Sequence, residues 1–137
     1  MLEKRILVVD HDPLVLFTLH AALEKLGPEM ETQTAHDCAE AIEKAGREAF
    51  DLILLDIRLP GMGGIALTRA LKAISPEAVI IWFTYHESRA VAVEASNLGV
   101  YRCLQKPMWI ADIRQVVREA LDTAAAQRDG APAYSPG

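Results

Sequence analysis

The chain has 137 residues, 51% of them hydrophobic and 24% charged, which fits one globular domain with a full core. The net charge is -5 and Lys and Arg form no run, which argues against direct binding of nucleic acid. The sequence has no apolar stretch of membrane-spanning length and no signal-peptide pattern, so we expect a cytoplasmic protein without membrane contact. Cys38 and Cys103 lack metal-ligand or redox spacing, and we interpret them as reduced thiols.

The first half of the chain contains two predicted strands and two predicted helices. Residues 6–9 are a short apolar strand, and Asp12 is well placed to cap the helix that follows it. The leucines of this helix recur at three- and four-residue steps until the Gly-Pro pair at residues 27–28 ends it. A short strand at about residues 31–35 and a helix at about 38–48 complete this half.

The second half continues the alternation three times. The predicted strands are residues 52–55, 79–83 and 101–105. The predicted helices follow, one passing through Leu67, Leu71 and Ile74 after a turn-rich loop, one at about residues 86–98 and one at about residues 110–126, and the last of them carries its apolar residues on one face. From about residue 127 the chain is rich in Gly, Pro and polar residues. We therefore predict one domain over residues 1–126 and a flexible tail over residues 127–137.

The alternation of five strands with five helices predicts a three-layer α/β sandwich around a parallel sheet with right-handed crossovers. The first, third and fourth strands are near-continuous apolar runs, which is typical of strands buried on both faces of a sheet. A flavodoxin-like (βα)5 order, 2-1-3-4-5, would place the first and third strands side by side. Asp10 and Asp56, which follow these two strands, would then be neighbours.

Reactive polar side chains follow four of the predicted strands. They are Asp10, His11 and Asp12 after the first strand, Asp56 after the third, Thr84 after the fourth and Lys106 after the fifth. Parallel strands bring such residues to one edge of the sheet. Two carboxylates ~4 Å apart repel by about 4 kcal/mol at an effective dielectric of ~20, so we expect the cluster to bind a hard dication, Mg²⁺. A carboxylate beside Mg²⁺ can accept a phosphoryl group whose charge an ammonium and a hydroxyl share.

Four segments, in this order and spacing, resemble the receiver domain of two-component response regulators: ILVVDHDP, DLILLDIRLPGMGG, WFTYHES and GVYRCLQKPM. The resemblance covers residues 4 to about 124. It implies a CheY-like phosphorylated switch, not an enzyme, in which Asp56 accepts a phosphoryl group from a sensor histidine kinase or a phosphotransfer protein. It also implies that the backbone carbonyl of Arg58 helps to bind Mg²⁺, that Thr84 moves toward the phosphate and that Lys106 contacts it. Lys106-Pro107 resembles a dipeptide that is usually cis in this family.

The resemblance also implies how a signal would leave the domain. The face formed by the fourth helix, the fifth strand and the fifth helix would bind a downstream protein, an output domain or a second phosphorylated copy. Arg58 and His86 occupy two variable positions that tune the lifetime of the phosphoryl group in this family. Cys103 stands where many receivers have a Tyr or Phe that swings inward on activation, so this coupling would be altered here or carried by Tyr101, Trp109 or Tyr85.

The chain departs from the family pattern in its acidic pair. Two adjacent carboxylates usually end the first strand, and here the second of them is replaced by His11. Imidazole is a poor ligand for Mg²⁺ but suits Zn²⁺, Ni²⁺ or Cu²⁺. Two interpretations stay open. Either Mg²⁺ binds weakly, held by Asp10 and Asp56, or His11 turns away and Asp12 compensates for it.

Two further alternatives follow from these departures. Tyr85 stands where the family usually has a small residue, so its phenol either covers part of the pocket or points outward onto the next helix. With His11 and Cys103, it leaves open a pseudo-receiver that binds partners without phosphate. The motif of residues 10–12 also resembles the Asp-x-Asp of haloacid-dehalogenase-like phosphatases, in which Asp10 would be the nucleophile.

Overall fold

The computed structural model describes residues 3–85 and 88–128. Within these residues the strands are β1 (Lys4–Val9), β2 (Met30–Ala35), β3 (Leu52–Leu55), β4 (Val79–Thr84) and β5 (Arg102–Gln105). The helices of the same described part are α1 (Pro13–Glu24), α2 (Cys38–Arg47), α3 (Gly64–Ile74), α4 (Arg89–Asn97) and α5 (Ile110–Arg128). The strands form one parallel sheet in the order β2-β1-β3-β4-β5. The predicted fold class and strand order are therefore confirmed.

The core lies on both faces of the central strands. Successive side chains of a strand point to opposite faces, so Ile6 and Val8 of β1 pack in the cluster that contains apolar residues of α1 and α5. Leu7 and Val9 pack in the second cluster, with residues of α2, α3 and α4. Every residue of β3 and β4 is buried. This double burial explains the continuous apolar runs in the sequence.

The predicted helix starts are confirmed where a capping residue marks them. Asp12 Oδ1 accepts a hydrogen bond from the Leu14 backbone N–H at 2.9 Å, with Pro13 at the first position of α1. Asp37 caps α2 in the same way, because its side chain accepts from the backbone N–H of Glu40 at 2.8 Å. Such side-chain oxygens satisfy N–H groups that have no partner within the helix.

Two helix boundaries that differ from the prediction have a local cause. Helix α1 ends at Glu24 rather than at residue 26, because the Leu26 N–H donates to the Leu23 carbonyl, a three-residue turn that replaces the four-residue bond of the helix. Helix α4 begins at Arg89, because the Ser88 hydroxyl accepts from the Val91 backbone N–H and caps the helix there. The predicted start at His86 lies outside the described residues.

The boundary between the domain and the C-terminal tail remains a prediction. Helix α5 runs to Arg128 and so includes the first two residues of the predicted tail, and the rest of the tail lies outside the described residues. Its predicted apolar face is buried over Ile113, Val117 and Leu121. Of the helices in the described part, none has the length and apolar character needed to cross a bilayer.

Candidate functional site

Backbone hydrogen bonds continue the sheet for one residue past the ends of its central strands. The Asp56 N–H donates to the Val9 carbonyl at 2.9 Å, and the Lys106 N–H donates to the Thr84 carbonyl at 2.8 Å. Asp10 follows Val9 directly and is bonded in the same manner to β2. These bonds fix where each side chain leaves the sheet. The structure therefore brings the residues at the strand ends to one edge, as the strand order predicted.

Asp10 and Asp56 are both buried, and each has one oxygen held by a backbone N–H group two residues further on. Asp10 Oδ1 accepts from the Asp12 N–H at 2.9 Å, and Asp56 Oδ1 accepts from the Arg58 N–H at 2.9 Å. Such local bonds are characteristic of Asp at turns. They fix the orientation of both carboxylates.

The second oxygen of each carboxylate contacts the ammonium group of Lys106. Lys106 Nζ lies 2.5 Å from Asp10 Oδ2 and 3.1 Å from Asp56 Oδ2, and its side chain is buried. Burial disfavours the ammonium, but hydrogen bonds and charge from Asp10 and then Asp56 outweigh it and raise the pKa of Lys106. One charged lysine thus faces two carboxylates. The Lys106-Pro107 peptide bond is cis, as the resemblance implied.

These groups open onto a cavity of about 270 Å³. Its lining contains every site residue that the sequence predicted, and it consists of Asp10, His11, Asp12, Val15, Asp56, Arg58, Thr84, Tyr85 and Lys106. Thr84 is completely buried at the end of β4. The cavity exceeds the ~30 Å³ that a water molecule occupies in the liquid several-fold, so it can hold a group larger than water.

His11 and Asp12 differ in their relation to the carboxylates. His11 is exposed, and its Nδ1 lies 3.6 Å from Asp10 Oδ1 and 3.9 Å from Asp56 Oδ2. One ligand atom from each of these three residues lies within 4.8 Å of the others. Asp12 instead uses its Oδ1 to cap α1. The structure therefore brings His11, and not Asp12, into the cluster of metal-ligating atoms.

Tyr85 lines the cavity while 57% of its surface stays exposed. Its ring centroid lies 5.2 Å from Lys106 Nζ, and the ring of Phe83 lies at the same distance from that atom. An ammonium within about 6 Å of an aromatic ring is attracted to its face. Of the two positions left open for Tyr85, the structure shows the one at the pocket. The sequence does not identify Phe83 and Val15 as residues close to the site, because apolar residues at such positions indicate only packing in the core.

Residues 6–118 match the family model described as the response regulator receiver domain. The chain belongs to this family. Receiver domains are the phosphorylated input modules of two-component systems and act as signalling switches rather than as classical enzymes. The residues of the strand-end arrangement described above all lie within the matched part of the chain.

Curated relatives agree with this assignment. The response regulator protein PilR of Pseudomonas aeruginosa is 30% identical over 132 residues, which cover 96% of this chain and 29% of PilR. The DNA-binding transcriptional regulator NtrC of Escherichia coli K12 is 33% identical over 114 residues, which cover 83% of this chain and 24% of NtrC. The chain thus spans less than a third of the length of these relatives.

Solved structures show the same fold. A CheY-like receiver domain protein from Methanospirillum hungatei superimposes with a TM-score of 0.86 at 31% identity, covering 91% of this chain and 98% of that one. A response regulator from Burkholderia pseudomallei, with a phosphorylated aspartic acid and a calcium ion, gives a TM-score of 0.78 at 30% identity. That match covers 92% of this chain and 73% of that one.

Receiver domains typically bind Mg²⁺ at this pocket, so the donor set has to be compared with what that ion prefers. Mg²⁺ takes oxygen ligands in octahedral geometry. The buried carboxylates of Asp10 and Asp56 fit this preference, and each is already oriented by a backbone N–H group. The imidazole of His11 does not fit it. The pocket therefore suits Mg²⁺ at two of its three clustered side chains.

Proposed function

We propose that this chain accepts a phosphoryl group on Asp56 from a sensor histidine kinase or a phosphotransfer protein in a two-component phosphorelay. The observation that supports this most directly is the state of the Asp56 carboxylate. It is buried at the edge of a cavity, one oxygen is held by the Arg58 N–H, and the other is paired with Lys106. A carboxylate so oriented can attack a phosphorus atom in line with its leaving group.

In the proposed transfer, Asp56 Oδ2 forms the new O–P bond while the P–N bond to the donor histidine breaks. Negative charge then moves from the carboxylate to the phosphoryl oxygens. Lys106 is already hydrogen-bonded to Asp56, so its ammonium group can bond to the phosphoryl oxygens as they gain charge. Thr84 lines the same cavity. Stabilisation of developing charge by preoriented donors is usually the largest catalytic contribution in such a site.

Mg²⁺ would be held by Asp10, by Asp56 and by the backbone carbonyl of Arg58. When bound, it neutralises charge on the phosphoryl oxygens. The carboxylate that most family members supply after the first strand is His11 in this chain. We therefore expect Mg²⁺ to bind more weakly here than in a receiver with two adjacent carboxylates.

The proposed output surface is the face formed by α4, β5 and α5. Thr84 connects the pocket to this face, because it ends β4 and its carbonyl accepts from the Lys106 N–H at the end of β5. Cys103 on β5 is too small to make the inward swing of an aromatic side chain. Tyr85, whose ring lies at the pocket, is the aromatic residue that we propose takes this role.

The proposed partners are a kinase or phosphotransfer protein and a downstream protein, an output domain or a second copy. Relatives such as the DNA-binding regulator NtrC are much longer than this chain. We propose that this chain itself reaches its targets through protein contacts, without binding nucleic acid or membrane, in the cytoplasm where kinases of this class act.

Intact mass after incubation with phosphoramidate and Mg²⁺ tests the acceptor. The chain should gain the mass of one phosphoryl group, and the Asp56→Asn variant should gain none. Asp122→Asn, at an exposed position of α5, is the matched control and should be labelled like the parent. A parent chain that stays unlabelled while another receiver is labelled under the same conditions would contradict the proposal.

A pseudo-receiver is the second candidate, because His11 and Tyr85 both stand at the phosphorylation pocket. The same experiment separates it from the first, since a pseudo-receiver would fold normally and remain unlabelled. The match of residues 6–118 to the receiver family argues against the haloacid-dehalogenase-like phosphatase.

A further inference from the structure

We propose that the cluster of Asp10, His11 and Asp56 binds a divalent transition metal ion of the imidazole-binding class, such as Zn²⁺ or Co²⁺, more tightly than Mg²⁺. The inference deepens the proposed function and rests on it, because the ion would occupy the same pocket and set the conditions under which Asp56 is phosphorylated. It follows from this chain's own departure at residue 11.

The first argument is geometric. Ligand atoms about 2.1 Å from a tetrahedral zinc ion lie about 3.4 Å from one another. His11 Nδ1 lies 3.6 Å from Asp10 Oδ1 and 3.9 Å from Asp56 Oδ2. Both distances from His11 lie within a few tenths of an ångström of that spacing, and the ligand atoms of all three residues lie within 4.8 Å of one another. In an octahedral Mg²⁺ complex, adjacent ligands lie about 2.9 Å apart, so the same atoms would have to close further.

The second argument is the chemistry of the donors. Carboxylate and imidazole groups together ligate Zn²⁺ and its neighbours, whereas Mg²⁺ takes oxygen donors and holds its water tightly. His11 is 56% exposed, so an ion from solvent can reach it. Lys106 must release or share the carboxylates for any dication, and it therefore does not discriminate between metals. The preference depends on His11 alone.

The third argument is that the other described histidines are arranged differently. His36 Nδ1 lies 2.8 Å from Glu40 and its Nε2 lies 3.2 Å from Asp37, so the two carboxylates face opposite ring nitrogens. One ion cannot be ligated by both carboxylates and the ring in that arrangement. His20 lies near a single carboxylate, that of Glu24. Among the described residues, Asp10, His11 and Asp56 form the one group whose ligand atoms converge.

The test uses the full chain with His20, His36 and His86 replaced by Gln, which leaves His11 as the single histidine. Co²⁺ is titrated while its visible absorption is followed, and Zn²⁺ and Mg²⁺ affinities are measured by calorimetry. We expect Zn²⁺ and Co²⁺ to bind this parent more tightly than Mg²⁺. His11→Ala should lower their affinity about tenfold or more and change Mg²⁺ affinity by less than about twofold.

His11→Asp is the complementary variant, because it restores an oxygen donor. It should tighten Mg²⁺ binding and reverse the metal preference, while far-UV circular dichroism verifies that each variant is folded. Equal Co²⁺ affinity in the parent and in His11→Ala, or tighter binding of Mg²⁺ than of Zn²⁺ by the parent, would overturn the inference. Labelling of Asp56 by phosphoramidate is measured separately. Normal labelling without a transition-metal preference contradicts this inference alone. A transition-metal preference without any labelling of Asp56 contradicts the proposed function alone.

Discussion

Lys106→Met is expected to destabilise the fold by about 3–5 kcal/mol at pH 7, the cost of removing one partner from a buried ion pair. In the native protein, the ammonium is hydrogen-bonded to Asp10 and Asp56, both of which are buried. Their ligand atoms lie within 4.8 Å of each other. At that separation and an effective dielectric of ~20, the two carboxylates repel by about 3.5 kcal/mol or more. Methionine keeps the length of the side chain and removes the charge that offsets this repulsion.

The pH of the measurement follows from the direction of the pKa shift. Burial opposes the charged form of Lys106, but Asp10 and Asp56 outweigh it, so its pKa lies above the ordinary value of 10.5. A group whose pKa is raised on folding stabilises the fold fully below its unfolded pKa and loses this effect as the pH rises through the folded pKa. At pH 7 the contribution of Lys106 is therefore complete.

Urea unfolding followed by far-UV circular dichroism measures the effect. The double variant Lys106→Met with Asp10→Asn should recover most of the lost free energy of unfolding, because one buried charge then remains instead of two. Lys72→Met is the matched control. Lys72 is half-buried and its pKa is lowered by burial, so its loss should change stability by less than about 0.5 kcal/mol. A deficit below about 1 kcal/mol, or no recovery in the double variant, would refute the electrostatic argument.

Three further substitutions test the scaffold, each by the same urea unfolding. Asp37→Ala removes the cap of α2 and should cost about 1 kcal/mol. Gly64→Ala should cost about 1–3 kcal/mol, because a Cβ at residue 64 would lie 2.2 Å from the Ile57 Cα. Since Ile57 follows Asp56 directly, the same variant should also be labelled more slowly at Asp56. Unchanged stability would contradict this close packing. Thr68→Val should cost about 1–3 kcal/mol, since the buried Trp82 indole N–H donates to the Thr68 hydroxyl at 2.9 Å; a cost near zero would mean that the indole finds another acceptor.

The sheet could be predicted because its signal is local. Residues 6–9 of β1 and the whole of β3 and β4 are apolar at nearly every position, which in a chain of this length indicates strands buried on both faces. The residue after each run then lies at the carboxyl edge, whatever the details of packing. The positions of Asp10 and Asp56 followed from this topology alone.

The contacts within the pocket could not be predicted, since they depend on side-chain orientation. Both Tyr85 positions satisfied the sequence pattern, and the structure places the ring 5.2 Å from Lys106 Nζ. The bond from Trp82 to Thr68 joins β4 to α3 across 14 residues, and nothing in the spacing of these residues signals it. The pairing of Lys106 with both carboxylates likewise requires three strand ends to be fixed first.

The acceptor and the metal cluster of this pocket depend on different contacts, and this makes the two proposals separable. Asp56 is oriented by the Arg58 N–H through one oxygen and by Lys106 through the other. His11 contributes to neither of these hydrogen bonds, and its ring approaches the carboxylates from the solvent side at 3.6 and 3.9 Å. Replacing His11 should therefore change which dication the pocket prefers while leaving the acceptor oriented. It follows that a loss of labelling in a His11 variant supplied with its preferred ion would point to a role of the metal itself, and not to a displaced Asp56.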